Sequence, residues 1–212
     1  AREADPVALQ FAAAGDHTAV LTYSVGEGAR DHQPLCQLRA AIGLLRQNAE
    51  RWGILPDRIA VCGFSAGGHL ALSGAVLDCP GEAADRSRKP DAVLLAYPVI
   101  TAGEYAHRGS FVQLSGSEDR AEHQRFGLEG KITPDTPPVF VWHTMEDETV
   151  PVENTLLLLA ALRKNHVPCE AHLFEKGVHG TSISTAEVDA ASAHRAHWVQ
   201  LAVEWLNDTF DF

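Results

Sequence analysis

The 212-residue sequence is short of positive charge. Its 17 lysines and arginines face 28 aspartates and glutamates, a formal net charge of −11. A surface of that sign repels phosphate backbones and anionic headgroups, which argues against nucleic acid or a membrane surface as partner. Long apolar runs are missing too, and none approaches the roughly 20 residues that a membrane-spanning helix needs. Cysteine is scarce: Cys36, Cys62, Cys79 and Cys169 follow no metal-ligand spacing. Free thiols in a reducing, cytoplasmic compartment are therefore expected. His194 and His197 lie one turn apart but lack a third ligand at matching spacing, so they read as a solvated helix face and no metal or cofactor is expected. There is no internal repeat, low-complexity tract or visible secretory leader. What is present is ordinary for one globular α/β domain, with 45 % hydrophobic and 21 % charged residues.

Strand-like and helix-like segments alternate. Asp5-Pro6 opens a helix that stops at Gly15. Ala19–Val25 reads as a strand and Gly26–Gln33 as a polar loop. From Pro34 a helix carries Leu35, Leu38, Ile42, Leu45 and Ala49 on one stripe and ends near Trp52-Gly53. Arg58–Phe64, Ala92–Val99 and Val139–His143 read as buried strands, and Cys169–Glu175 as one nearer an edge. Further helices are expected over Gly67–Leu77, Val152–Lys164 and Val188–Leu206. Cys79–Asp91 is a charged connector. Thr101–Thr136 is long and weakly patterned, a cap-like insertion. The alternation predicts an α/β fold, a mostly parallel sheet with helices on both faces, in a single domain over residues 1–212.

The most informative stretch joins the strand ending at Phe64 to the helix that follows. Gly63-Phe64-Ser65-Ala66-Gly67 has the Gly-x-Ser-x-Gly pattern in the strand–turn–helix setting that a nucleophile elbow requires. A sharp turn forces Ser65 into strained backbone and leaves no room for bulk two residues to either side. The N–H of Ala66, at the helix start, points toward any oxyanion formed at the serine. A serine nucleophile needs a base and a group that orients the base. In open α/β sheets the place to look is past the carboxyl ends of later strands. There stand Glu146, Asp147 and Glu148 after one strand and His179, between Val178 and Gly180, after the next. The chain order is serine, acid, histidine, with the acid open among three. His69 reads as a packing or hydrogen-bonding residue of the elbow helix, His143 as a brace for the acid loop, and Glu153 and Asn154 as caps of the helix after Pro151.

Four motifs together, Gly63-Phe-Ser-Ala-Gly-Gly-His-Leu-Ala71, Thr136-Pro-Pro-Val-Phe-Val-Trp-His-Thr144, Asp147-x-x-Val-Pro-x-Glu-Asn154 and His179-Gly180, resemble the acetyl-esterase branch of the α/β-hydrolase superfamily, carbohydrate esterase-like enzymes. The resemblance implies an α/β-hydrolase fold and places the acid three residues before Val150-Pro151, on Asp147. The residue before it, commonly Asp, is Glu146 here. Ser65, Asp147 and His179 are then the expected triad, with Ala66 N–H as an oxyanion donor. The expected substrate is a small ester or an acetylated oligosaccharide of xylan type. A second oxyanion donor belongs, by resemblance, to a Gly-Gly-Gly loop just before the residues matching Arg2-Glu3. The chain has no Gly-Gly pair besides Gly67-Gly68, so an N-terminally shortened sheet with weakened hydrolysis is expected, its exposed edge open to self-association. A non-enzymatic binding or assembly protein on the same fold is the alternative. A prolyl-oligopeptidase-type peptidase shares the triad order, but nothing in the chain suggests the propeller domain of such enzymes.

Overall fold

Ala60–Phe64 (β1), Ala92–Ala96 (β2), Val139–Thr144 (β3) and Cys169–Phe174 (β4) pair in that order into one parallel sheet. The computed structural model describes residues 2–81 and 85–212, so positions 82–84 of the expected connector lie outside the described residues. Side chains alternate across the central strands with the period of a pleat. Leu94, Ala96, Phe140 and Trp142 face one side, and Val93, Leu95, Val139 and Val141 the other. Each is at most 2 % exposed. Burial on both faces is why these segments read as continuous apolar runs.

The helices are α1 (Asp5–Ala13), α2 (Gln33–Gln47), α3 (Ala49–Trp52), α4 (Ala66–Val76), α5 (Arg108–Ser115), α6 (Arg120–His123), α7 (Glu153–Lys164) and α8 (Ala193–Phe210). α8 covers the first face, where Trp198, Ala202 and Leu206 cluster with Val7 and Phe11 of α1. α4 and α7 cover the other through Leu72, Ala75, Leu158 and Leu162. α2 lies outside α4 and packs Leu35, Leu38 and Ile42 with Leu70. Segment 101–136 carries α5, α6 and two 3₁₀ turns, gathered on Phe111, Phe126, Val99 and Val150.

The structure corrects several expectations. Ala19–Val25 is not a strand: residues 16–25 adopt no regular secondary structure. Leu21 and Tyr23 pack against the cluster of α2, Ile59 and Leu70. The Ser24 N–H donates to Gln37 Oε1 at 2.9 Å, and Val20 and Val25 stand exposed. Strand propensity is realised only against a ladder partner, and among the described residues this segment finds none. Among the described residues β1 is an end strand of the sheet. Gly26–His32 forms a 3₁₀ helix rather than a loop. The last helix begins at Ala193, because Asp189 takes a left-handed conformation and Ser192 Oγ accepts the Arg195 N–H.

The free-thiol expectation also fails for one pair. Cys36 of α2 is bridged to Cys79, their Cα atoms 5.3 Å apart, while Cys62 and Cys169 are free. The chain leaving α4 returns beside α2, where buried Arg39 donates to the Leu77 carbonyl (2.6 Å) and to Asp78 (3.0 Å). That clasp brings the two cysteines together. The bridge removes the sequence ground for a reducing compartment.

Candidate active site

The turn between β1 and α4 is held from several sides. Ser65 N–H donates to the Ala96 carbonyl (3.0 Å), and the Ser65 carbonyl accepts from Gly68 (3.0 Å) and Val99 (3.1 Å). Ser65 itself sits at φ 53°, ψ −119°, a costly conformation for a residue with a Cβ, sustained only by such surroundings. A Cβ on Gly63 would collide with the Gly67 carbonyl and approach Ala71 Cβ to 2.8 Å. One on Gly68 would come within 2.7 Å of Pro98. Gly67 is different, since its Cβ would meet only the Tyr23 hydroxyl, at 3.4 Å. The steric demand thus falls on Gly63 and Gly68 rather than on the two symmetric positions expected. Ala66 is exposed, and as the first residue of α4 its N–H has no intrahelical acceptor.

The loop after β3 separates three adjacent acids by burial. Glu146 and Glu148 are exposed, whereas Asp147 is 5 % exposed. Asp147 Oδ1 accepts the N–H groups of Thr149 (3.0 Å) and Val150 (2.9 Å). Its Oδ2 accepts from His179 Nδ1 at 2.6 Å. The other ring nitrogen of His179, Nε2, lies 2.8 Å from Ser65 Oγ, placed to accept the hydroxyl proton. The structure therefore brings Ser65, His179 and Asp147 into one hydrogen-bonded line from three strand ends. Glu146 Oε2 instead accepts the Gly177 N–H (3.0 Å), and Thr144 Oγ1 donates to the Gly177 carbonyl (2.7 Å), fixing the approach to His179.

His143 lies fully buried under the acid loop. It accepts from Thr155 Oγ1 (2.8 Å), donates to the Val150 carbonyl (2.9 Å) and comes within 3.3 Å of Asp147 Oδ2. Burial alone raises the Asp147 carboxyl pKa, but hydrogen bonds from His143, His179 and Val150 outweigh it and hold the group well below the usual carboxylate range. Asp147 stays ionised throughout the neutral range. A Ser–His–carboxylate line of this geometry can move a proton off the serine and return it to a leaving group.

Beside Ala66 opens a cavity of about 310 Å³. Its walls include Tyr23, Leu35, His69, His107, Gln113 and Phe126, so α5 and its flanks form one side. His69 is pinned by a bond from Nε2 to the Phe126 carbonyl (2.9 Å), and burial pushes its pKa down to about 4. Burial, and then the neighbouring His179, lower that of His107. Both line the cavity as neutral rings at pH 7.

Sequence reasoning missed two buried groups. Asn154 caps nothing, and neither does Glu153: α7 has no side-chain cap. Instead Asn154 Oδ1 accepts the N–H groups of Ile100 (2.9 Å) and Thr101 (3.0 Å), while its Nδ2 donates to the Tyr105 and Pro151 carbonyls. Tyr97, directly after β2, is 1 % exposed and meets the His179 ring edge to face at 4.9 Å between centroids. Its hydroxyl donates to Glu3 Oε1 at 2.6 Å. The only signal for Tyr97 was its place at a strand end beside the elbow. His194 packs edge-on against Phe174.

Known proteins match this chain along almost all of its length. The BD-FAE family model matches residues 4–89, and the Prolyl oligopeptidase family model matches residues 92–209. Endo-1,4-beta-xylanase B of Butyrivibrio fibrisolvens is 37 % identical over 87 % of the chain, and an acetylxylan esterase of Xylanibacter ruminicola is 27 % identical over 78 %. The chain spans about a third of the length of these curated relatives, 31 % and 34 %. The crystal structure of an acetyl ester-xyloside bifunctional hydrolase from Caldicellulosiruptor lactoaceticus superposes with a TM-score of 0.87 at 35 % identity, covering 100 % of this chain and 78 % of that one. With the Prolyl oligopeptidase family model over residues 92–209 and a solved relative at 35 % identity covered to 78 %, the chain belongs to the α/β-hydrolase superfamily, in its acetyl-esterase and xylan-esterase branch.

Proposed function

We propose that the protein is a serine carboxylesterase that removes short acyl groups, O-acetyl above all, from carbohydrate esters. The observation that carries this reading is the single imidazole of His179, 2.8 Å from Ser65 Oγ on one side and 2.6 Å from Asp147 on the other. Ser65 Oγ attacks the ester carbonyl carbon as its proton passes to His179 Nε2. The tetrahedral oxyanion forms toward the N–H of Ala66. His179 then gives its proton to the departing alcohol oxygen, leaving an acyl-serine. Water attacks that ester with the same histidine as base, releasing the acid and restoring Ser65. Asp147 holds Nδ1–H throughout and remains a carboxylate. Relatives named for xylan and for acetyl esters support acetylated xylo-oligosaccharides as the substrate class.

The test is hydrolysis of p-nitrophenyl acetate, and acetate release from acetylated xylo-oligosaccharides, by the wild type and by Ser65→Ala. Activity on both that disappears in the variant is the expected result, and equal rates would overturn the reading. The rival reading is a binding or assembly protein that keeps the fold without an activated serine. A fluorophosphonate that labels Ser65 separates the two, because only an activated serine reacts.

A further inference from the structure

Tyr97 packs against Phe64 and Trp142 in the core, but its backbone and its hydroxyl are bound in ways that packing alone does not explain. It follows β2 with φ +38°, a backbone conformation that is strained for a bulky residue and persists where the surroundings impose it. Its phenol is buried, so the hydroxyl needs partners. It has two: it donates to Glu3 Oε1 at 2.6 Å and accepts the Ser182 N–H at 3.0 Å. Ser182 is fully buried at φ +49°. Its Oγ donates to the Arg2 carbonyl (2.6 Å), and its own carbonyl accepts from Trp198 Nε1 (2.9 Å). Between Ser182 and His179 stands Gly180, at φ +76°, where the Arg2 guanidinium lies 2.9 Å from the place a Cβ would take. Residues 2 and 3 therefore grip the chain just after His179, and the Tyr97 ring faces the imidazole.

From this geometry we infer that Glu3, Tyr97 and Ser182 form a clasp that positions His179, with Tyr97 and Glu3 as positioning residues. The physical demand is angular. An imidazole that must meet an oxygen at each nitrogen has one usable plane, and misplacement by about 1 Å can cost about 10²-fold in rate. Asp147 fixes one edge of the ring but leaves it free to swing about that bond. The Tyr97 ring blocks the swing on one side, and the bond to Ser182 ties ring and loop together. Glu3 closes the clasp from the N-terminal segment, 94 residues away in sequence.

The inference rests on the proposed esterase reading for its kinetic arm but not for its spectroscopic one. The variants are Tyr97→Phe, Glu3→Ala and Glu3→Gln. Glu3→Gln keeps an acceptor oxygen for the phenol, while Tyr97→Phe keeps the ring and drops the tether. Tyr97→Phe and Glu3→Ala should lower kcat for p-nitrophenyl acetate by about 10- to 100-fold with KM within about twofold, and Glu3→Gln should restore it. In the resting protein, the downfield proton NMR signal of the His179–Asp147 hydrogen bond should be sharp in the wild type and in Glu3→Gln. In the other two it should broaden or vanish. An unchanged signal and kcat in Tyr97→Phe and Glu3→Ala would overturn the clasp, as would Glu3→Gln behaving like Glu3→Ala. If the wild type hydrolyses no ester while the signal still follows this pattern, the clasp stands and the esterase reading falls.

Discussion

At the elbow, a single methyl group separates an indispensable glycine from a tolerant one. Gly63→Ala and Gly68→Ala push a Cβ into backbone or into Pro98, and overpacking of this kind costs about 1–3 kcal/mol. Gly67→Ala meets only the Tyr23 hydroxyl at contact distance and should stay within about 0.5 kcal/mol of wild type. Urea midpoints of the three variants check both statements. The Gly-x-Ser-x-Gly pattern was legible because the turn type demands small residues. Which glycine carries the demand was not, because it depends on how closely Pro98, after the next strand, approaches. The acid run poses the same problem. Glu146, Asp147 and Glu148 are indistinguishable by spacing alone, and only the fold buries the middle one against His179. Asp147→Asn should lower kcat about 10⁴-fold by favouring the wrong imidazole tautomer, while Glu148→Gln should leave kcat within a few-fold. Progress curves on p-nitrophenyl acetate distinguish them. Because Asp147 titrates well below neutrality, no limb of the pH–rate profile above pH 5 belongs to it.

Between elements, much of the stability of the site comes from side chains that bolt one segment to another. Asn154 joins the start of α7 to the chain leaving β2 by three hydrogen bonds, to Ile100, Thr101 and Tyr105, and makes a fourth locally to the Pro151 carbonyl. Asn154→Ala strands two buried N–H groups, and each unsatisfied group costs about 1–3 kcal/mol. A loss of about 3 kcal/mol in denaturant unfolding is expected, and Asn154→Asp should not rescue it, because its second oxygen would face the Tyr105 and Pro151 carbonyls in place of a donor. The Cys36–Cys79 bridge ties α2 to the chain leaving α4 across 43 residues. Loop-closure entropy for that span gives up to about 4 kcal/mol, so Cys36→Ser or added reductant should lower the thermal midpoint of the wild type. Apolar periodicity revealed the strands and helices that the core needs. It misjudged Ala19–Val25, where the residues favour a strand but no ladder partner stands beside them. The bridge was invisible for the opposite reason, since 43 residues of separation encode no proximity until α2 packs on α4.

For the molecule as a whole, a parallel sheet with helices on both faces was legible in the alternation of strand-like and helix-like segments. The network that joins Arg2 and Glu3 to Tyr97 and Ser182 was hidden, because no local pattern marks a contact such as Arg2 to Ser182, 180 residues apart in sequence. Two buried groups each contribute an acid sensitivity whose sign can be worked out. His69 has a pKa near 6.5 in the unfolded chain and about 4 when folded. Between those values the unfolded chain binds a proton that the folded one refuses, so stability is complete above about pH 6.5 and falls as pH drops toward 4. The difference corresponds to at most about 3 kcal/mol. Asp147, held below its unfolded value of 3.8, adds a further loss in the same direction only once pH falls below about 4. Denaturant unfolding at pH 7.5, 5.5 and 4.5 should therefore show a loss that begins below about pH 6.5. His69→Gln, which can still donate to the Phe126 carbonyl, should flatten the part above pH 4.5. An equal slope in that variant would place the acid sensitivity outside the elbow helix.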